Sequence, residues 1–170
     1  MSFESDLLVW MPQLRRYARA LTRDPAWADD LVQDTLERAL NKWHWHVGSN
    51  LRAWLFTLLR NRFIDQLRAH KEIAVADENA PWQYLSATSG EVDGLLLRDL
   101  QHALYQLALD QREALLLVVV EELSYQEVAS ILKVPIGTVM SRLARAREHM
   151  RVLMDAEAEK WPPLKVVSKS

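Results

Sequence analysis

The chain has 170 residues, of which 49% are hydrophobic, with a formal net charge of −2 and no cysteine. This composition supports a packed core and excludes disulfide bonds, thiol catalysis and cysteine-ligated zinc. The first residues show no basic segment followed by an apolar run, and the longest apolar run, residues 114–120, is too short to span a bilayer. We therefore expect a cytoplasmic protein that inserts no segment of its own into a membrane.

Charge is unevenly distributed along the chain. Residues 1–70 carry a net charge of +2 and residues 111–154 carry +1, whereas residues 71–110 carry −5. Nonspecific affinity for DNA comes from neutralised phosphates, so neither flanking segment is basic enough to bind DNA tightly alone. Any DNA binding therefore needs another subunit, or dimerisation, to supply most of the phosphate contacts.

The sequence predicts an all-α fold with two small helical domains joined by a flexible linker. It contains only four glycines and no run of alternating apolar and polar residues. Helices are predicted over residues 4–21, 26–43, 50–69, 92–108 and 110–122, followed by a pair of helices from residue 124 onward. The predicted divisions are a domain over residues 1–70, an acidic linker over 71–94, a second domain over 95–154 and a tail over 155–170.

An acidic stripe follows one side of the second predicted helix, opposite its apolar side. Its members are Asp30, Gln33, Asp34 and Glu37. Carboxylates in this arrangement are typical of a solvated or partner-binding face, and a basic helix would be steered to it by charge. The sequence shows no glycine-rich phosphate loop, no serine elbow and no set of metal ligands beside His44 and His46. We therefore expect a protein that is not an enzyme and that binds no cofactor or metal.

The loop at residues 43–46 has the sequence Trp-His-Trp-His. Aromatic side chains beside basic ones suit stacking on unpaired bases, as where a base leaves the duplex for a pocket. The next predicted helix supplies polar groups for such a single-strand site: Arg52, Arg60, Asn61 and Arg62. The alternative is that both tryptophans anchor the core. That alternative is favoured for Trp43, whereas the residues alone leave Trp45 undecided.

Residues 124–147 have the pattern of a helix-turn-helix, whose second helix enters the major groove of DNA. Ser124 and Glu127 have the spacing of a capping box at the start of the first helix. The apolar side of the second helix is predicted to be buried and consists of Ile136, Val139, Leu143, Ala146 and Met150.

The rest of the second helix carries groups that suit contacts with bases and phosphates. These are Thr138, Ser141, Arg142 and Arg145, together with the free backbone amides at the start of the helix near Pro135 and Gly137. An ordinary solvated basic helix is the alternative. The capping box and the short turn favour DNA binding.

Four segments in order resemble bacterial sigma factors of the extracytoplasmic-function (ECF) group. They are residues 29–36 (DDLVQDTL), 54–65 (WLFTLLRNRFID), 123–129 (LSYQEVA) and 134–143 (VPIGTVMSRL). The resemblance covers nearly all of residues 5–70 and 95–154. One departure is Lys133, which stands where the family usually has glycine; a left-handed lysine costs about 1 kcal/mol.

The resemblance implies that the first domain is like sigma region 2 and the second like region 4. The acidic stripe is then expected to dock on the clamp helices of core RNA polymerase. The loop over residues 42–50 and the helix after it are expected to melt and read the minus-ten element of promoter DNA. The residues implied are Trp45, His46, Asn50, Arg52, Trp54, Arg60, Asn61 and Arg62.

The second domain is implied to read the minus-35 element and to touch the polymerase flap. The residues implied are Pro135, Gly137, Thr138, Ser141, Arg142 and Arg145. The resemblance also implies control by an anti-sigma factor, with the linker in place of region 3. Two other functions remain as alternatives: a sigma-like decoy that sequesters an anti-sigma factor, and a dimeric helix-turn-helix repressor that works without polymerase. The arginines argue against the decoy, and the acidic stripe and aromatic loop argue against the repressor.

Overall fold

The computed structural model describes residues 2–46, 48, 50–74 and 91–159, with side chains described over 2–46, 48, 50–69 and 98–156. Within these ranges the chain is built from α-helices and turns without any strand, which confirms the predicted all-α fold. The helices are α1 Phe3–Thr22, α2 Pro25–Lys42, α3 Leu51–Ala74, α4 Glu91–Gln106, α5 Leu109–Leu115, α6 Tyr125–Leu132 and α7 Ile136–Glu159. A 3-10 turn at Trp43–Trp45 follows α2, and a π-helical turn at Leu116–Val120 extends α5.

Helices α1, α2 and α3 form an N-terminal bundle. The Ser2 hydroxyl accepts a hydrogen bond from the Ser5 amide at 3.3 Å and caps α1. The Asp24 carboxylate caps α2, and Pro25 occupies the first position of that helix, where an amide would lack a helical partner anyway. The largest fully buried side chains of the bundle are Leu14, Tyr17, Leu31, Leu55, Phe56, Leu59 and Phe63.

Helices α4 to α7 form a C-terminal bundle. Its fully buried side chains include Leu117, Val128, Ile131, Val139, Leu143 and Ala146. The π-helical turn closes when the Glu121 amide donates to the Leu116 carbonyl at 2.9 Å. Glu122 then adopts a left-handed conformation with φ of 55°, which turns the chain towards α6.

The two bundles pack directly on each other. Helix α3 contacts α6, and α1 contacts α5. Buried side chains from both bundles join one hydrophobic cluster, so that Leu116, Leu117 and Leu123 belong to the same cluster as Tyr17 and Phe56. The surfaces predicted to bind DNA therefore lie on two bundles that touch.

The helix ends differ from the predictions around the linker and the tail. Helix α3 continues to Ala74 and α4 begins at Glu91, so helices occupy both ends of the segment predicted as a linker over residues 71–94. Helix α7 continues to Glu159, past the predicted start of the tail at residue 155. The added residues are rich in alanine and glutamate, which favour helix. The remaining parts of the predicted linker and tail, residues 75–90 and 160–170, lie outside the described residues.

Candidate nucleic-acid and polymerase interfaces

The acidic stripe lies on the solvent side of α2. Asp30, Gln33 and Glu37 are exposed, and the Gln33 amide donates to the Glu37 carboxylate at 3.3 Å. The opposite side of α2 is anchored by Leu31 and Thr35, both of which are fully buried. The helix therefore presents carboxylates to a partner while its apolar side holds it in the bundle.

Asp34, the fourth member of the stripe, is engaged within the protein. Its carboxylate accepts a hydrogen bond from the guanidinium of Arg62 on α3 and lies 3.6 Å from Arg38 Nε. Asp34 therefore links α2 to α3. A substitution there would disturb the bundle as well as any docking, so Asp30 is the cleaner test of docking.

The 3-10 turn after α2 exposes its two tryptophans to different extents. Trp45 is 83% exposed, so its indole contributes little to the core and is open to stacking. The prediction that Trp43 is a core anchor is wrong, because that residue is 46% exposed. Helix α2 ends at Lys42, which leaves Trp43 at the end of the bundle, where its ring lies 6.0 Å from that of Phe3.

His46 and Trp54 form a stacked pair. Their ring centroids lie 4.8 Å apart with an angle of 28° between the planes. Both side chains are half-buried, and the pair ties the segment after the 3-10 turn to the first turn of α3. The structure thus gives these two predicted DNA contacts a role in positioning the loop that carries Trp45.

Asn50 caps α3 and also reaches the helix-turn-helix. Its Oδ1 accepts a hydrogen bond from the Ala53 amide at 3.0 Å. Its Nδ2 donates to Glu127 Oε1 on α6 at 2.7 Å. Both the oxygen and the nitrogen of the Asn50 side-chain amide are therefore hydrogen-bonded to other groups of the chain.

Two arginines of α3 are bound to glutamates of the C-terminal bundle. Arg60 Nε donates to Glu113 Oε2 at 2.6 Å. Arg52 donates to the main-chain oxygen of Glu121 and lies 3.8 Å from its carboxylate. Asn61, which follows Arg60 in sequence, is half-buried. The structure brings the predicted single-strand residues together along α3, with their basic groups paired to carboxylates.

The helix-turn-helix has the predicted local geometry. The Ser124 hydroxyl accepts from the Glu127 amide at 3.1 Å, and the Ser124 amide donates to Glu127 Oε2 at 2.9 Å. The pKa of Glu127 is lowered mainly because its carboxylate accepts this hydrogen bond from the Ser124 amide. Lys133 ends α6 in the left-handed conformation, with φ of 56° and ψ of 46°. The capping box and the left-handed lysine are both confirmed.

The start of α7 is open to solvent. The predicted contact residues here are Pro135, Gly137, Ser141 and Arg145, which are exposed, and Thr138, which is half-buried. The Pro135 carbonyl accepts from the amides of Thr138 and Val139, whereas the amides of Ile136 and Gly137 come too early in the helix to have an intrahelical partner. A Cβ built on Gly137 would meet no atom within 4 Å, so a phosphate has room to approach these amides.

The buried side of α7 begins at Val139. Leu143 and Ala146 continue it as predicted, and Met150 is half-buried. The prediction that Ile136 is buried is wrong: it is 41% exposed, because it is the first residue of the helix and precedes the turn that packs inward. Met140 is also exposed, so apolar groups suited to contact thymine methyls lie on the open side.

Arg142 lies at the margin of this surface. Its side chain is 24% exposed, and its Nε lies 3.7 Å from Asp110 Oδ2 on α5. Arg145, one turn further along α7, is exposed. The two arginines therefore differ in how freely each can reach DNA.

Sequence reasoning missed the two buried glutamates that bind the arginines. Glu113 and Glu121 are 2% and 1% exposed, and Arg16 of α1 donates two hydrogen bonds to Glu121, at 3.0 and 2.9 Å. Burial raises the pKa of Glu113, against the attraction of Arg60. The signal in the sequence is that these carboxylates flank the apolar run over residues 114–120, where an ionised group needs a partner.

Arg112 was missed as well. It is 7% exposed and donates to the main-chain oxygens of Leu107 at 3.2 Å and of Tyr105 and Leu21 at 3.4 Å. Burial lowers its pKa to about 10. Since Leu21 belongs to α1, Arg112 connects the two bundles.

Across the described ranges, no helix is both long and apolar enough to cross a membrane.

Comparisons with known proteins identify both bundles. The family described as the Sigma2 domain of PhyR matches residues 9–60, and the family described as Sigma-70, region 4 matches residues 97–150. The chain is similar to the ECF RNA polymerase sigma factor EcfG of Rhodopseudomonas palustris, at 40% identity over 165 residues, which cover 95% of this chain and 91% of the relative. It is also similar to the ECF RNA polymerase sigma factor SigM of Bacillus subtilis, at 30% identity over 155 residues that cover 90% and 95% of the two chains. Among solved structures, the sigma factor RpoE of Bartonella quintana, in complex with the anti-sigma factor NepR, matches with a TM-score of 0.79 and 39% identity, covering 90% of this chain and 96% of that one. The chain belongs to the ECF RNA polymerase sigma factors.

Proposed function

We propose that this chain directs core RNA polymerase to promoter DNA and opens the DNA strands there, as a subunit without catalytic activity of its own that works in the cytoplasm. One observation carries the proposal. A single chain presents three surfaces: the exposed start of α7, the exposed Trp45 on the other bundle, and the acidic stripe on α2, the helix that precedes Trp45. A repressor needs only the first of these surfaces, whereas a sigma factor uses all three.

For the upstream promoter element, the minus-35 element of the family, the proposed reader is the first part of α7. The exposed groups there are a glycine that leaves space, hydroxyls and a guanidinium, which suit contacts with phosphates and base edges. Ser141 Oγ already donates to the Thr138 carbonyl at 3.2 Å, so its oxygen is available to DNA as an acceptor. Arg145 is the strongest candidate for a base or phosphate contact, because Arg142 is held beside Asp110.

For the downstream element, the minus-ten element, the proposed capture site is Trp45 with the polar side of α3. An exposed indole stacks on an unpaired base, and this contact is worth about 1–3 kcal/mol per base. Arg52, Arg60 and Asn61 would bind the backbone of the same strand. Stabilising the unpaired strand shifts the duplex towards its open form, and this is how binding alone melts DNA without catalysis.

For core polymerase, the proposed docking surface is the acidic stripe, with the clamp helices as its partner. Asp30→Asn removes one exposed carboxylate and is expected to weaken binding of the core enzyme, most strongly at low salt, because exposed charges are screened by salt. Asp29→Asn is the matched control, since it removes the same charge from the neighbouring position, which faces Arg15 and Arg19. Equal affinities of the two variants for core polymerase would reject this docking surface.

The direct test of the proposal is run-off transcription with core polymerase on a library of promoter sequences. We expect transcripts that depend on this chain and share two sequence elements at a fixed spacing. The alternatives to test are the sigma-like decoy and the repressor. Binding to an anti-sigma factor without any dependent transcript would favour the decoy, and operator binding without polymerase would favour the repressor.

We also propose that an anti-sigma factor holds this chain inactive, as the structure of RpoE with NepR suggests for a relative. An open groove of about 680 Å³ lies between α1 and the C-terminal bundle. Its walls include Leu8, Met11 and Val120, with Arg15 and Arg19 at the rim, which suits an amphipathic helix with acidic residues. NepR of Bartonella quintana serves as the probe: reversing the charge of both rim arginines to glutamate should weaken its binding. Equal binding of wild type and variant would reject the groove.

A further inference from the structure

Two glutamates of the C-terminal bundle are buried against arginines of the N-terminal bundle. Glu113 Oε2 accepts from Arg60 Nε at 2.6 Å, and Glu121 accepts two hydrogen bonds from Arg16 and lies 3.8 Å from Arg52. Both carboxylates are almost wholly removed from solvent. A carboxylate this deeply buried is stable only when it is paired, so each depends on its arginine from the other bundle.

Arg52 and Arg60 are the arginines that we proposed to bind the unpaired strand. A guanidinium offers the same forked set of donors to a carboxylate as to a phosphate. A donor that is already bound is not available to DNA, and this applies to Arg60 Nε, which is bound to Glu113, and to the Arg52 donor that is bound to the main-chain oxygen of Glu121. Asn50 is occupied in the same way, because its Nδ2 donates to Glu127 at 2.7 Å.

The competition is confined to one part of the proposed strand-reading surface. Arg62 is bound to Asp34, which lies on α2 of its own bundle. Trp45 is 83% exposed and needs no rearrangement to stack on a base. Among the described residues of this surface, those with a hydrogen bond to the C-terminal bundle are Asn50, Arg52 and Arg60.

The contact between the bundles leaves a buried donor unused. Within the described residues, Arg52 Nε is buried and has no hydrogen-bond partner. A buried donor without a partner costs free energy that an exchange of partners would recover. The contact is therefore suited to opening and closing, and a phosphate that satisfies both edges of the Arg52 guanidinium is a strong competitor for it.

We infer that the C-terminal bundle is an intramolecular ligand of the strand-reading surface, with Glu113 and Glu121 in the places that DNA phosphates take. The inference rests on the proposed DNA contacts of Arg52 and Arg60. In the closed arrangement the chain binds an unpaired strand weakly, and separation of the bundles frees both arginines. The apparent affinity for the strand is then the intrinsic affinity multiplied by the fraction of open molecules.

The test compares the full-length chain with the double variant Glu113→Gln, Glu121→Gln. Glutamine keeps the shape and one acceptor oxygen but removes the negative charges that pair with Arg60 and Arg16 and that lie 3.8 Å from Arg52. The hydrogen bond from Arg52 to the main-chain oxygen of Glu121 is then left without that charge beside it. Glu122→Gln is the matched control, because it removes the same charge at the exposed position next to Glu121. The probe is a fluorescent single-stranded oligonucleotide with the non-template sequence of a promoter selected by run-off transcription. Its affinity is measured by anisotropy, and the radius of gyration of the free protein by small-angle X-ray scattering.

The double variant is expected to bind the oligonucleotide about tenfold more tightly than wild type and to have a larger radius of gyration. The control should match wild type in both measurements. Equal affinity of double variant and wild type would overturn the inference, whether or not the radius changes. Failure of wild type to support run-off transcription is a different result, since it would reject the proposed function before this comparison begins.

Arg16→Gln opens the same contact from the other side. It leaves Glu121 buried without its bidentate partner, and Arg16 is not among the proposed DNA contacts. This variant should also bind the oligonucleotide more tightly, and it serves if the double variant fails to fold. Weaker or unchanged binding by Arg16→Gln, with circular dichroism like that of wild type, would overturn the inference.

Discussion

Replacing Trp45 with alanine should weaken strand capture without weakening the fold. The indole is 83% exposed, so its removal should change the free energy of unfolding by less than about 0.5 kcal/mol. Loss of one base stack should cost about 1–3 kcal/mol of binding. This corresponds to an affinity about 5- to 150-fold lower for the unpaired non-template strand.

The assay is anisotropy of a labelled non-template oligonucleotide with the complex of core polymerase and this chain. Trp45→Phe is the conservative control and should retain most of the affinity, because it keeps an aromatic face. Trp43→Ala is the positional control, because Trp43 packs on Phe3. Its removal should cost more free energy of unfolding than free energy of binding to the oligonucleotide. Wild-type affinity of Trp45→Ala would refute the proposed stacking, and so would a loss of stability as large as the loss of binding.

Three further predictions concern the helix-turn-helix. Lys133→Gly should stabilise the protein by about 0.5–1 kcal/mol in urea unfolding, because glycine avoids the strain of the left-handed conformation; a destabilised variant would contradict this. Arg145→Ala should weaken use of the upstream element by about 1–3 kcal/mol in run-off competition. Arg142→Ala should weaken it by less, because Asp110 already holds the Arg142 side chain. A larger loss for Arg142→Ala than for Arg145→Ala would contradict the assignment. The pKa of Glu127 is lowered by the capping box, so its stabilising effect is present above its ordinary value of 4.5 and is lost as pH falls through the lowered pKa. The difference in unfolding free energy between wild type and Glu127→Gln should therefore shrink in acid, and a difference that grows there would contradict the reasoning.

Features with local causes were predictable from the sequence. The capping box joins Ser124 to Glu127, three residues away, and the strained Lys133 ends a helix whose next turn contains Pro135. In each case the interacting groups lie within one helical turn, so spacing and residue type are enough. The acidic stripe was predictable for the same reason, since helical periodicity alone places Asp30 and Glu37 on one side of α2.

The partners of the arginines were not predictable in this way. Arg60 binds a glutamate 53 positions further along the chain, and Arg16 binds one 105 positions away. Residue type marks these arginines as anion-binding groups, and it cannot say whether the anion is DNA or a carboxylate of the same chain. Only the packing of the two bundles identifies Glu113 and Glu121 as their partners.

The two errors in burial share a cause. Trp43 follows the last residue of α2, and Ile136 is the first residue of α7. Periodicity shows on which side of a helix a residue falls, but at a helix end there is no neighbouring turn to cover it. Both side chains are exposed for that reason.

The most direct measurement is the permanganate reactivity of thymines in a promoter selected by run-off transcription. Permanganate oxidises unpaired thymines, so it reports strand opening at the downstream element. We predict reactive thymines only when core polymerase and this chain are both present, with reactivity strongly reduced by Trp45→Ala. Thymines that stay protected in the complete complex, or that react equally without this chain, would contradict its role in opening promoter DNA.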